Sequence, residues 1–174
     1  MAQSAFVVFV PEAEPYVGAL RERLEPSAAL GMPAHITLLY PFMPPEELSP
    51  QAIERARAVV ASVPAFSYRL LGIGRFPTAL YVAPDPAEPF VALTRSLVRE
   101  FPDYPPYSGQ YGPSILPHLT VARAGEAEHA IAEAELLLKL PHAGILASCK
   151  EAILVGNSSG RWEPMETFPL AFVQ

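Results

Sequence analysis

Cysteine is nearly absent from this sequence. Cys149 is the single one in 174 residues, which excludes an intrachain disulfide framework and any zinc site built on cysteines. Positive charge is scarce too: 12 Lys and Arg stand against 18 Asp and Glu, a net charge of −6. A broad footprint on duplex nucleic acid needs a basic stripe, so this balance argues against one. It leaves room for a small phosphate ligand, which needs only one local positive site. Long apolar runs are also missing. The longest early run, Ala5 to Val10, has no basic residue before it, the first being Arg21. That fits neither a signal peptide nor a membrane span, and the natural expectation is a soluble cytoplasmic monomer with no membrane partner.

Proline, by contrast, is abundant, at 21 of 174 residues, more than twice the usual ~5 %. A chain with 51 % apolar and 17 % charged residues is not disordered, so the prolines must punctuate a fold. Many do so at element boundaries. Ala5–Val10 reads as a strand ended by Pro11, and Tyr16, Val17, Leu20 and Leu24 mark a helix that stops near Pro26. Ala34–Tyr40 is a second strand. Ser49 and Pro50 open a second helix with Ile53, Ala56, Val60 and Val63 on one face, and Phe66–Phe76 is a long strand.

The same order then repeats. Ala79–Ala83 is a strand, and Pro89 opens a helix that Pro102 stops. Leu116–Arg123 is a strand, Glu126–Leu140 a helix, and Ile145–Val155 a strand. Arg161–Val173 reads as a return strand behind an Asn157–Gly160 turn. The expected architecture is α+β: one domain, residues 1–174, with two pseudo-symmetric lobes of antiparallel strands, outer helices and a central cleft. The lobes are expected near 1–77 and 78–174, with the last strand free to return to the first lobe. The main asymmetry is Pro102–Ile115, a long loop carrying Tyr104, Tyr107 and Tyr111, which suits either a lid or a surface excursion.

Two of the four histidines sit in one repeated pattern, His35-Ile36-Thr37-Leu38 and His118-Leu119-Thr120-Val121, each in the second strand of its half. Side chains alternate along a strand, so His and Thr share one face while the apolar residues take the other. Across a pseudo-two-fold axis the two pairs can face each other. Such a set suits phosphoryl transfer without a metal: one neutral imidazole accepts a proton, and the other, as imidazolium, protonates the departing oxygen. The threonine hydroxyls can donate to non-bridging phosphate oxygens.

These paired motifs, on equivalent strands of a bilobal α+β chain, resemble the 2H phosphoesterase superfamily, nearest its bacterial 2′-5′ RNA ligase-like and cyclic phosphodiesterase branch. The resemblance spans nearly the whole chain. It implies cleavage, and in some members reversible joining, of 2′,5′ or 2′,3′-cyclic phosphodiesters in small RNA ends or nucleotides, with no metal and no cofactor. It makes His35, Thr37, His118 and Thr120 the catalytic set, and Arg123 matches a basic residue that often follows the second motif. Where ligase-like members continue with Phe-Leu-Gly, this chain has Leu39-Tyr40-Pro41-Phe42, a departure that bears on ligation. The alternatives are a non-catalytic binder of a phosphorylated ligand and a cyclic phosphodiesterase for a non-RNA metabolite.

Strict alternation aims Arg123 away from the cleft, so it reaches a phosphate only if the strand ends or twists first. Arg75, at a strand end, is a second candidate phosphate contact. Tyr40, Tyr81, Tyr107 and Trp162 could stack on a base or line the cleft, and Tyr40 and Tyr107 are the substrate-binding candidates among them. Gly156–Gly160 fits the G-x-S-x-G string but lacks the following helix, so a hairpin turn is expected. Gly72-Ile73-Gly74 lacks the third glycine of a dinucleotide loop. His129 and His142 have no matching partner residues.

Overall fold

Residues 1–172 are described here from a computed structural model; Val173, the end of the expected return strand, lies outside them. Among the described residues no helix is long and apolar enough to cross a membrane. Several helices begin where a proline and a cap allow. Ser49 caps the helix Pro50–Ala61 (α3), its hydroxyl accepting the Ala52 N–H at 3.1 Å. Pro15 and Pro89 each occupy the first turn of Glu14–Leu24 (α1) and Glu88–Glu100 (α4), where the missing N–H costs nothing. A single turn, Pro26–Ala29 (α2), follows α1, and Glu126–Lys139 (α5) completes the helices.

The eight strands are Ser4–Phe9 (β1), His35–Leu39 (β2), Phe66–Phe76 (β3), Ala79–Asp85 (β4), Leu119–Ala122 (β5), Ile145–Cys149 (β6), Glu151–Gly156 (β7) and Glu163–Pro169 (β8). They make two antiparallel sheets, ordered β2-β1-β7-β8 and β5-β4-β3-β6. The two orders correspond under a pseudo-two-fold axis, with each His-x-Thr segment at a sheet edge beside the first strand of its half. β2 and β5 pack against one another.

The two sheets do not divide the chain at residue 77. β3 belongs to the second sheet, and both β7 and β8 return to the first. The run Ile145–Val155, expected as one strand, breaks at Lys150 and passes from one sheet to the other. Its apolar residues continue through the break because β7 is central and covered on both faces. Ala152 and Leu154 belong to the main core, while Ile153 and Val155 join a second cluster with Ala5, Val7 and Met32. The Asn157–Gly160 turn does join a hairpin, β7 to β8.

The helices cross over as well. α1 packs on β5, and α4 on β2 and α3, so each half sends its first helix onto the other half's motif strand. Phe6, Ile36, Leu80, Phe90 and Leu119 are fully buried in one continuous core. Burying each such side chain contributes about 1.5–3 kcal/mol.

Candidate active site

Each motif strand packs its alternate residues as its sequence dictates. Ile36 pairs with Val8 and Leu119 with Val82, all in the core. His35 pairs with Phe9 and Thr37 with Val7 on the opposite face, and Thr120 pairs with Tyr81. His118 stands immediately before β5 rather than within it.

Both strands then break register at the same place. Phe6 faces Leu39 and Val7 faces Thr37, so Leu38 is an extra residue. Leu80 faces Ala122 and Tyr81 faces Thr120, so Val121 is one too. In each case the fourth motif residue forms a bulge, which resets the alternation. Leu39 and Ala122 therefore take the core side, and the residues after them return to the His–Thr side. Those residues are Tyr40 and Arg123, and this bulge and the end of β5 at Ala122 meet the condition set for Arg123 to leave the strict alternation.

The imidazoles are held in matching fashion. His35 Nδ1 lies 2.8 Å from the Pro33 carbonyl, and His118 Nδ1 lies 2.7 Å from the Leu116 carbonyl. A carbonyl can only accept, so both Nδ1 atoms carry the hydrogen. Each Nε2 is left to take or give the second proton.

The electrostatics are less symmetric. The His35 pKa lies down at about 4: burial is the main cause, the hydrogen bond to the Pro33 carbonyl opposes it, and Arg21 and His118 lower it while Glu25 raises it. Burial and then Arg123 also lower His118, against the Leu116 carbonyl. The influence of His118 on His35 places the two rings in one electrostatic neighbourhood.

Around His118 stands an aromatic frame: Phe76 at 5.0 Å and Tyr81 at 5.4 Å between ring centroids, with Phe76 and Tyr81 themselves 4.6 Å apart. A second aromatic group gathers around Tyr40, at the end of β2. Tyr40 lies 6.4 Å from Tyr107 and 6.3 Å from Trp162, with Tyr111 5.5 Å beyond Tyr107. The Tyr107 N–H donates to the Tyr40 carbonyl at 2.6 Å, tying the long loop to the end of β2. Tyr107 and Ser108 both hold positive φ, 51° and 54°, a conformation that costs a non-glycine residue about 1–3 kcal/mol. Burial raises the Tyr107 pKa, while Arg123 draws it down.

Arg123 is half exposed, and its Nε lies 3.2 Å from Glu25 Oε2. That oxygen is buried and makes no hydrogen bond, so the pair is held by charge alone. Arg75 goes elsewhere. Leu71 is an extra residue between the pairs Leu70–Pro84 and Gly72–Ala83. Beyond this bulge Arg75 takes the face of Leu80, and its guanidinium pairs with Glu133 of α5. The expectation of a phosphate contact there is corrected by that reversal of face. His129 is buried and accepts the Ala124 N–H on Nε2 at 3.3 Å, a structural part. Among the described residues no three His, Cys, Asp or Glu side chains gather as metal ligands.

Two charged residues that act on the site escaped the sequence reading, Arg21 and Glu25. Arg21 falls on the face marked by Val17, Leu20 and Leu24, and a charge within an apolar stripe was the available signal.

The fold and the paired histidines define the class of a 2H phosphoesterase. The family model described as "2'-5' RNA ligase superfamily" matches residues 9–160, and the chain belongs to that superfamily. Among solved structures it is similar to Escherichia coli LigT complexed with 3′-AMP, at 19 % identity and a TM-score of 0.65, covering 97 % of each chain. It is also similar to TT0787 of Thermus thermophilus, at 20 % identity and a TM-score of 0.64, covering 99 % of this chain and all of that one. A search of curated proteins finds no match. At these identities the solved structures establish the fold.

Proposed function

We propose that this chain is a metal-independent phosphodiesterase acting on 2′,3′-cyclic phosphates or 2′,5′-phosphodiester bonds of RNA ends or nucleotides. The observation that carries the reading is the matched Nδ1–H donation of His35 and His118 to main-chain carbonyls two residues upstream. It leaves two free Nε2 atoms, one from each half of the fold, each fixed in tautomer and ring orientation.

In hydrolysis of a cyclic phosphate, a neutral Nε2 takes a proton from water as its oxygen bonds to phosphorus. The other ring, as imidazolium, gives its Nε2 proton to the ribose oxygen as the old P–O bond breaks. His35, held further toward the neutral form by burial and Arg21, is the base. His118 is the acid, since a bound phosphate anion favours its protonated form. Thr37, Thr120 and Arg123 hold the non-bridging oxygens. Tyr40, Tyr107 and Trp162 form the wall against which a base can stack. In the joining reaction a ribose hydroxyl takes the place of water and the two rings keep these roles; the reverse cleavage exchanges them.

LigT is described bound to 3′-AMP, to NADP+, to phosphate and to ATP, and that likeness supports a small nucleotide as the substrate class here. The test is hydrolysis of 2′,3′-cyclic nucleotides in excess chelator. Turnover should survive the chelator and fall by ~10²-fold or more in His35→Ala and in His118→Ala, the size expected for loss of a general acid or base. Tight binding without turnover, in folded wild-type protein across a phosphodiester panel, would overturn the proposal in favour of a binding module.

A further inference from the structure

The helices covering the two motif strands differ in the charge of one buried residue. α1 on β5 and α4 on β2 both begin Glu-Pro, and both bury residues at matching helical spacing: Val17, Leu20 and Arg21 in one, Phe90, Leu93 and Thr94 in the other. Where α4 buries a small neutral threonine, α1 buries a guanidinium that is 2 % exposed. Packing of such a helix on a motif strand therefore does not require a charge. Desolvating one costs several kcal/mol unless partners compensate; the carboxylates acting on it are Glu25, which also faces Arg123, and Glu14.

Two of the three hydrogen-bond partners of Arg21 are main-chain carbonyls, one in the second motif and one just ahead of the first. Its Nε donates to the Thr120 carbonyl at 3.2 Å and its Nη1 to the Met32 carbonyl at 3.1 Å, with Nη2 3.5 Å from Ser27 Oγ. Thr120 is the motif residue itself. Met32 directly precedes Pro33, whose carbonyl holds the His35 ring. β5 is an edge strand, and α1 completes that edge, because the Leu24 carbonyl also accepts the Arg123 N–H at 2.7 Å. One planar group thus bonds the second sheet's motif strand to the lead-in of the first sheet's motif strand.

We propose that Arg21 is a positioning residue that sets the two His-x-Thr segments relative to each other. The proposal rests on the phosphodiesterase reading above. A lysine ammonium is a single point of charge and lacks the rigid fork that reaches two carbonyls in different directions. A displacement of about 1 Å between reacting groups costs ~10²-fold in rate. The charge also acts through space on His35, as do those of Glu25 and His118, so replacing it changes how that imidazole titrates.

The experiment compares Arg21→Lys, Arg21→Met and a control, Arg95→Met, on the exposed side of α4. Two readings are taken on folded protein: kcat and KM on a 2′,3′-cyclic nucleotide with chelator, and the imidazole ¹⁵N titration of His35 and His118 by NMR without substrate. Both Arg21 variants should lose ~10²-fold in kcat while KM moves less than about threefold. His35 should titrate at higher pH in Arg21→Met, and Arg95→Met should match wild type in every reading. A folded Arg21→Met with kcat within about twofold of wild type and unchanged titrations overturns the proposal. Should Arg21→Met not fold, Arg21→Gln is read by the same criteria. If wild type turns over no substrate, the phosphodiesterase reading fails, and the titration alone decides whether Arg21 sets the histidine environment.

Discussion

The ring of Tyr81 lies across Gly74, in the space a β-carbon at Gly74 would fill. The two residues are register partners on β3 and β4, and the Tyr81 ring in turn meets Phe76 and His118. A glycine in mid-strand weakens the strand and often marks close approach of another group. Here that group is the aromatic frame of a candidate catalytic ring.

Gly74→Ala should therefore displace Tyr81, and His118 with it. The expected result is a fall in kcat of ~10-fold or more, since small misplacements of reacting groups are costly. Adding Tyr81→Ala to Gly74→Ala should recover part of the stability lost in Gly74→Ala, because the clash is gone. A thermodynamic cycle by urea melts measures that coupling, and strict additivity of the two substitutions would contradict the arrangement.

How far the sequence could carry this reading depends on the range of each interaction. The His-x-Thr segments and the helix starts at Pro50 and Pro89 were legible because alternation and capping act over a few residues. The bulges at Leu38 and Val121 were not, since one extra residue in a strand leaves no compositional mark and shows only against its partner strand. The Val121 bulge meets the condition on which Arg123 reaches the His–Thr face, and a third bulge, at Leu71, carries Arg75 to the opposite one. The exchange of α1 and α4 between sheets is likewise a property of long-range packing. It gives Arg21 a role across both motifs that its own helix does not reveal.

Arg123 and Glu25 provide a test at the phosphate site. The guanidinium is half exposed and faces a buried carboxylate oxygen with no hydrogen bond. A bound phosphate would compete with Glu25 for the same cation. Competitive inhibition by inorganic phosphate should weaken by ~10-fold in Arg123→Met, the scale of one charge-assisted contact. In Glu25→Gln, which keeps an acceptor for the Ser27 N–H, inhibition should tighten. Equal inhibition constants in all three proteins would remove Arg123 from the site.

Phe90 tests how α4 is anchored on β3. It is fully buried on α4 and meets Phe66 at 4.9 Å and Tyr68 at 4.8 Å, both edge-on. Phe90→Ala leaves a cavity where α4 covers residues of β3, and should cost about 3–5 kcal/mol by urea unfolding. A loss below about 1 kcal/mol would mean that α4 is not anchored there.

The depressed pKa of His35 makes stability depend on pH with a definite sign. In the unfolded chain an imidazole titrates near ~6.5, whereas in the folded protein burial holds His35 down to about 4. Between those values the unfolded state binds the proton and the folded state does not, so acidification favours unfolding. The contribution is fully present above the unfolded value and is lost as pH falls toward the folded one. His118 is shifted in the same direction and adds to the effect. Urea midpoints at pH ~7.5 and ~5 span this window. Wild type should lose stability between them, and His35→Gln, which cannot titrate, should lose less. A variant that loses as much as wild type would show that the His35 ring is not held neutral by the fold.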